Sequence, residues 1–359
     1  MSALRKISFA LLLLPALVCC KPEVSRPDEV GNPLVKTALY DTTSSYYAGF
    51  DEYPSNLADL PIGIYDLNMG GMAALEDIVT LDRFDNITGK PASDSIRDFA
   101  GEHFIYYNAL SNADSVSATE GLVDIREAAL MNTLFLVGDK CAQGEKERAK
   151  IIIASGNITR ATGLDDIRQM LELSGTGVKI VGVVEEGVKG LLGQMKERHI
   201  HHFTVGLLAE ESTIESGVYP AMMKEIMTAE GMPGSTPFVC KAIGAADSTG
   251  VKMLDEAFIA MIEEHYASGE NTPISAVIVE NALTKDVAEL FTDIIRSYRS
   301  KRVRGTYPYR NVILEDVLFI NPTEYAAIQC YRTLRTDGNL ALRITDQQVV
   351  HYTDLPYDI

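Results

Sequence analysis

From residue 60 onward, short apolar runs alternate with helical patterns, and this alternation constrains the fold more than any other feature of the chain. The strand-like runs are Pro61–Asp66, His103–Asn108, Lys150–Ser155, Lys179–Val184, His202–Ala209, Pro237–Ile243, Ile274–Glu280, Val312–Ile320 and Asn339–Ile344. Between them, apolar residues recur at helical spacing, as at Leu254, Phe258, Met261 and Ile262. A strand that is apolar throughout, such as Ile151-Ile152-Ile153, is buried on both faces, which is the habit of parallel sheets. Sustained alternation of this kind predicts an α/β fold with mainly parallel sheets. At about 150 residues per domain, 359 residues suggest two domains. Ligands of such sheets bind at the carboxyl ends of the strands, so chemistry is expected after Asp66, Ser155, Val184, Ala209, Ile243 and Glu280.

The chain carries 32 Lys and Arg against 50 Asp and Glu, a net charge of −18. Phosphate backbones need clustered cations, so nucleic acid is not an expected partner. Five cysteines exclude a disulfide scaffold. Past residue 18 no apolar run approaches the ~20 residues that span a bilayer. The N-terminus itself reads as an address. Arg5 and Lys6 precede an apolar stretch from Ile7 to Val18, the pattern of a secretory signal over 1–19. Cys19 and Cys20 follow. A cysteine placed there resembles the lipobox of bacterial lipoproteins, with Leu17 three residues before Cys20. The resemblance implies acylation at Cys20, a membrane anchor, and a periplasmic or surface location in the cell envelope. An ordinary signal peptide with two incidental cysteines fits the same residues. Residues 20–58 hold Pro22, Pro27, Pro33 and Pro54 without any period, and are expected to be a tether. Tyr40, Tyr46, Tyr47 and Tyr53 are either packed on the domain or scattered on its surface.

Four segments together resemble the aspartate/glutamate racemase family. Gly63-Ile-Tyr-Asp66-Leu-Asn-Met-Gly70-Gly71 is similar to its opening strand and glycine turn. Ile151-Ile-Ile-Ala154-Ser-Gly-Asn157 is similar to its Ala-Cys-Asn-Thr strand end. Ile180-Val-Gly-Val-Val-Glu185-Glu-Gly187 is similar to its interdomain strand. Val205-Gly-Leu-Leu-Ala-Glu210-Glu-Ser-Thr213-Ile-Glu-Ser216-Gly217-Val-Tyr219 resembles its Gly-Thr-x-x-Thr-x-x-Ser-x-x-Tyr segment in order and spacing. The resemblance implies two doubly wound α/β domains facing each other across a cleft. Residues 59–176 and 284–359 would form the first, and 177–283 the second. It also implies no cofactor, and it admits a homodimer.

Family members racemise acidic amino acids with one cysteine on each face of the substrate. Here the first cysteine position falls on Ser155 or Gly156, and the second on Glu280. The first Thr of the Gly-Thr segment becomes Glu210, whereas Thr213 persists. A carboxyl titrates near 4.3 and a thiol near 8.5. Glu280 is therefore a base some four units weaker, unless burial raises it by up to ~3–5 units. Ser155 would need an activating partner. The matched positions put catalytic roles on Asp66, Glu280 and Ser155, and ligand contacts on Asn157, Glu210, Thr213 and Asn281. Asp66, Glu210 and Glu280 would make the cleft acidic. A cationic or polyhydroxy ligand, or a divalent metal, would suit it better than an acidic amino acid. Alternatively, Glu210 and Glu280 form salt bridges or face solvent.

Two readings follow. In the first, a lipid-anchored pseudoenzyme with a racemase-like fold has lost two-thiol chemistry and binds a small polar ligand or a partner. In the second, an active cofactor-independent isomerase, racemase or lyase uses Glu280 with Asp66 or Ser155. The second requires a buried Glu280 with a raised pKa; the first requires an exposed or ion-paired one. His199, His201 and His202 read as a solvated turn rather than a metal site, and no metal site is assigned. Arg296, Arg299, Lys301, Arg302 and Arg304 form a small basic run at a helix end.

Overall fold

The computed structural model describes residues 30–66, 71–108, 121–156, 163–232, 236–243, 251–280, 287–342 and 345–353. Two parallel sheets carry the fold. The first holds β1 (Ile62–Asp66), β2 (His103–Asn108), β5 (Ile151–Ser155), β6 (Lys179–Gly182) and β11 (Gln348–Tyr352), in the order β11-β2-β1-β5-β6. The second holds β7 (Thr204–Ala209), β8 (Phe238–Ala242), β9 (Ile274–Val279) and β10 (Ile313–Ile320), in the order β10-β9-β7-β8. Every pairing in both is parallel. A short antiparallel hairpin, β3 (Lys140–Cys141) with β4 (Gly144–Glu145), stands apart.

Period-two side chains divide each sheet between two cores. Tyr65, Tyr107, Ile152 and Ala154 face one side of the first sheet, against α3 (Gly121–Val137) and α4 (Asp165–Ser174). Ile62, Ile64, Phe104, Ile151 and Ile153 face the other, against α2 (Gly71–Val79) and α10 (Pro322–Asp337). In the second sheet, Val205, Leu207, Ala276 and Ile278 face α5 (Val183–Glu197) and α7 (Val218–Ala229). Leu208, Val277 and Val279 face α8 (Val251–Ser268) and α9 (Val287–Ser300). Among the described residues no helix is long and apolar enough to cross a membrane.

The sheets divide the chain differently from the expected boundaries. Residues 179–182 pair with β5, so they belong to the first sheet, not to a unit of 177–283. Residues 313–320 pair with β9, so they belong to the second sheet, not to 284–359. The chain crosses between sheets through α5 after β6, and back through α10 after β10. The two crossing helices pack along each other. A methyl on Gly190 would lie 2.2 Å from the Tyr325 ring, and one on Gly187 would lie 2.7 Å from Pro322 Cβ.

Three further expectations are corrected. First, the strand expected over Lys179–Val184 stops at Gly182, and Val183 opens α5. Val183 and Val184 are buried in either conformation, so their apolarity could not mark the change. Second, residues 30–58 are not a free tether. Asn32 caps α1 (Pro33–Tyr40), its Oδ1 accepting from Leu34 N at 2.9 Å, and Val35 and Ala38 join the first core. The buried Arg148 guanidinium donates to Ala48 O at 2.9 Å and Gly49 O at 3.0 Å, and to Glu52 at 2.8 Å. Tyr53 donates to Ala149 O at 3.0 Å. Residues 20–29 lie outside the described residues.

Third, of the strand expected over Asn339–Ile344, the described residues 339–342 are not extended into a sheet, and 343–344 lie outside the described residues. The backbone of Asn339 and Ala341 serves a buried ion pair instead. Lys150 Nζ sits 2.6 Å from Glu102 Oε2, with the side chains 0% and 2% exposed. Lys150 also donates to Ala58 O at 2.8 Å and Asn339 O at 2.9 Å, and Ala341 N donates to Glu102 at 2.8 Å. The final strand forms later, at β11, beside β2.

Candidate functional site

Glu280 directly follows β9, and its backbone N–H donates to Leu208 O at 2.9 Å at the carboxyl end of β7. Glu210 follows β7 and opens α6 (Glu211–Ser216), which carries Thr213. Gly217, at φ 63°, adopts the left-handed turn that ends α6 and starts α7. That reversal brings Tyr219 over the strand end. Its hydroxyl donates to Glu280 Oε1 at 3.2 Å.

Glu280 is 9% exposed, and among the described residues no cationic nitrogen lies within ion-pair distance. Burial pushes its carboxyl above the usual glutamate range, and the neighbouring Glu210 charge adds to the push. The hydroxyls of Thr213 and Tyr219 oppose it by favouring the charged form. The Thr213 contact falls short of hydrogen-bond geometry, and among the described residues its buried Oγ1 has no hydrogen-bond partner. The Tyr219 phenol is itself raised, by burial first and by the adjacent carboxyl second. A buried carboxyl held above its ordinary range, with a phenol hydroxyl beside it, is suited to general acid–base work.

At the first sheet, Asp66 and Ser155 are register partners at the ends of β1 and β5, with Asn108 on the other flank. Ser155 is buried. Of the expected site residues, the structure thus brings Glu210, Thr213 and Glu280 together at one sheet, and Asp66 with Ser155 at the other. The Asp66 side chain, Asn157, Asn281 and Cys20 lie outside the described residues. Val184, expected at a strand end, is buried inside α5. Tyr219 is not among the expected site residues; its place at the close of the Thr-x-x-Ser-x-x-Tyr run is the sequence signal that points to it.

The described cysteines lie elsewhere. Cys141 is in the β3 hairpin, Cys240 is inside β8 opposite Leu207, and Cys330 is buried within α10. Burial raises the thiols of Cys240 and Cys330. His199, His201 and His202 are exposed at the turn before β7, opposite the carboxyl ends. A cavity of about 600 Å³ at the β6 edge shares no residue with the Glu280 group. Its cations are already paired: Arg168 and Lys189 with Glu185, and Lys179 with Asp337.

Two parallel sheets with helices on both faces, and polar groups at their carboxyl ends, define a two-sheet α/β protein. Among solved structures the chain is similar to a glutamate racemase isoform from Bacillus anthracis, at 15% identity and TM-score 0.47, covering 82% of this chain and 87% of that one. It is similar to the glutamate racemase of Francisella tularensis in complex with D-glutamate, at 18% and 0.47, covering 84% and 90%. An aspartate racemase homologue from Pyrococcus horikoshii matches at 13% and 0.39, covering 77% and 99%. No protein-family model and no curated protein matches the chain. At these identities the similarity concerns fold alone; the α/β class rests on the strand pairings themselves.

Proposed function

We propose that the chain is a lipid-anchored bacterial envelope protein whose racemase-like fold has lost the two-thiol shuttle and keeps a one-sided acid–base site at Glu280. The observation that carries this reading is the buried Glu280 carboxyl, raised by its surroundings and without a cation among the described residues, at the strand end where the resemblance puts the second catalytic thiol. The ligand is small and polar. Ser155 and Asp66 occupy the opposite sheet, and neither is a second matched base. One base supports proton exchange, isomerisation or elimination on one face of a substrate, and not inversion between enantiomers.

The test is incubation in heavy water with the L- and D-forms of glutamate, aspartate and neutral polar amino acids. Deuterium should enter the Cα of one enantiomer without interconversion, and Glu280→Gln should abolish it. Interconversion of enantiomers would sink the one-sided site. The second reading, binding without catalysis, draws on the Tyr219 hydroxyl, which already occupies Glu280 Oε1. It predicts saturable ligand binding with no exchange in any substrate.

A further inference from the structure

The fifteen residues from Arg296 to Arg310 contain Arg296, Arg299, Lys301, Arg302, Arg304 and Arg310 and no acid, in a chain of net charge −18. Their base is pinned. Arg299 donates to Arg310 O at 2.6 Å and Ile313 O at 2.5 Å, and approaches Glu315 at 3.6 Å. Lys301 meets Glu263 at 3.2 Å and lies over the rings of Tyr298 and Tyr309. Arg296 pairs with Asp293 at 2.8 Å.

The tip is different. Val303 and Thr306 exchange backbone hydrogen bonds of 2.9 and 3.0 Å, closing a tight hairpin. Arg304 at φ 50° and Gly305 at φ 88° are its two left-handed central residues. This ordered turn presents Arg302, Val303 and Arg304 to solvent, with Tyr307 beside them. Val303 is 37% exposed and Tyr307 is 43% exposed. Among the described residues, Arg302, Arg304 and Arg310 have no carboxylate within ion-pair distance. Arg310 stacks on Tyr307, 4.7 Å from the ring centroid.

We propose that the Arg302–Arg310 loop is a docking surface for an anionic phospholipid bilayer. Unpaired guanidinium groups supply attraction to lipid phosphates, and each basic group near such a surface adds appreciable binding. An exposed aliphatic tip and an aromatic ring with a polar end suit the headgroup boundary. The surrounding acidic chain is repelled by the same surface, which leaves this loop as the favoured point of approach and sets one orientation. Nucleic acid fits less well, because its backbone calls for a longer cationic track than one hairpin provides. The proposal is independent of the Glu280 chemistry and of acylation at Cys20.

The test is flotation of the full chain with vesicles of pure phosphatidylcholine, and with vesicles in which a third is phosphatidylglycerol. The chain is tested with Arg5→Ser and Lys6→Ser, so that the N-terminal apolar stretch acts on both vesicle types alike and cancels in the ratio. Anionic vesicles should bind about tenfold more tightly at low salt, and the preference should fade in high salt. Arg302→Glu with Arg304→Glu should erase the preference while thermal unfolding stays unchanged. Val303→Ser with Tyr307→Ser should weaken binding to both vesicle types. Equal binding to the two compositions, or a preference that survives charge reversal, would overturn the proposal. Tighter retention on a single-stranded oligonucleotide than on anionic vesicles would also overturn it, in favour of a nucleic-acid contact.

Discussion

Two buried carboxyls sit at opposite ends of parallel strands, and the contrast between them separates scaffold from site. Glu102 lies before β2, at the amino end of the first sheet. Glu280 lies after β9, at the carboxyl end of the second. Burial raises both. Glu102 is answered by Lys150 at 2.6 Å and by the Ala341 N–H. Among the described residues, Glu280 is answered by hydroxyls and backbone and by no cation. A buried charge with a matched counter-charge is fixed in one state, whereas a buried carboxyl without one titrates.

The largest expected effect breaks the first member of the pair. Lys150→Met should destabilise the protein by about 3–5 kcal/mol in denaturant unfolding, because Glu102 is left buried without its cation. A loss under about 1 kcal/mol would show that the pair is not a structural pin.

Next in size, Glu280→Gln should cut any proton-exchange rate by about 100-fold or more. Its effect on stability should run opposite to that of Lys150→Met. The folded pKa of Glu280 lies above its ordinary value of 4.5, so the folded state holds the extra proton. This group's contribution to stability is complete below that ordinary value and is lost as pH rises through the folded pKa. Glu280→Gln should therefore be the more stable protein at neutral pH, with the difference vanishing in acid. Thermal unfolding across pH measures it.

A smaller effect is expected from Tyr219→Phe. It removes a donor to the carboxylate, so the Glu280 titration should move further to alkaline pH, read by NMR of the labelled carboxyl. Smallest is Thr213→Val. Among the described residues its buried Oγ1 has no hydrogen-bond partner, so the swap should change stability by less than about 1 kcal/mol. A loss near 2 kcal/mol would show that the hydroxyl bonds Glu280 in solution.

Much of this contrast was legible in the sequence, but only on one side. His103–Asn108, Ile151–Ser155, Thr204–Ala209 and Ile274–Val279 follow from apolar runs that burial on two faces demands. Glu280 was visible because the resemblance in segment order drew attention to that strand end. Glu102 and Lys150 were not visible. Each flanks a strand with an ordinary charged residue, and the pairing exists only once β1 lies between β2 and β5. The same blindness displaced the last strand, because 339–341 look apolar enough to pair yet spend their backbone groups on that ion pair. The division between sheets was misread for a related reason. Parallel strands look alike in either sheet, and only the helices that follow β6 and β10 decide where the chain crosses.

The near-contact of α5 and α10 through Gly187 and Gly190 has a mechanical consequence. Both stretches of chain that join the two sheets run through helices with almost no gap between them. A side chain placed at Gly187 or Gly190 would have to prise that helix pair apart, and so would disturb both links between the sheets at once.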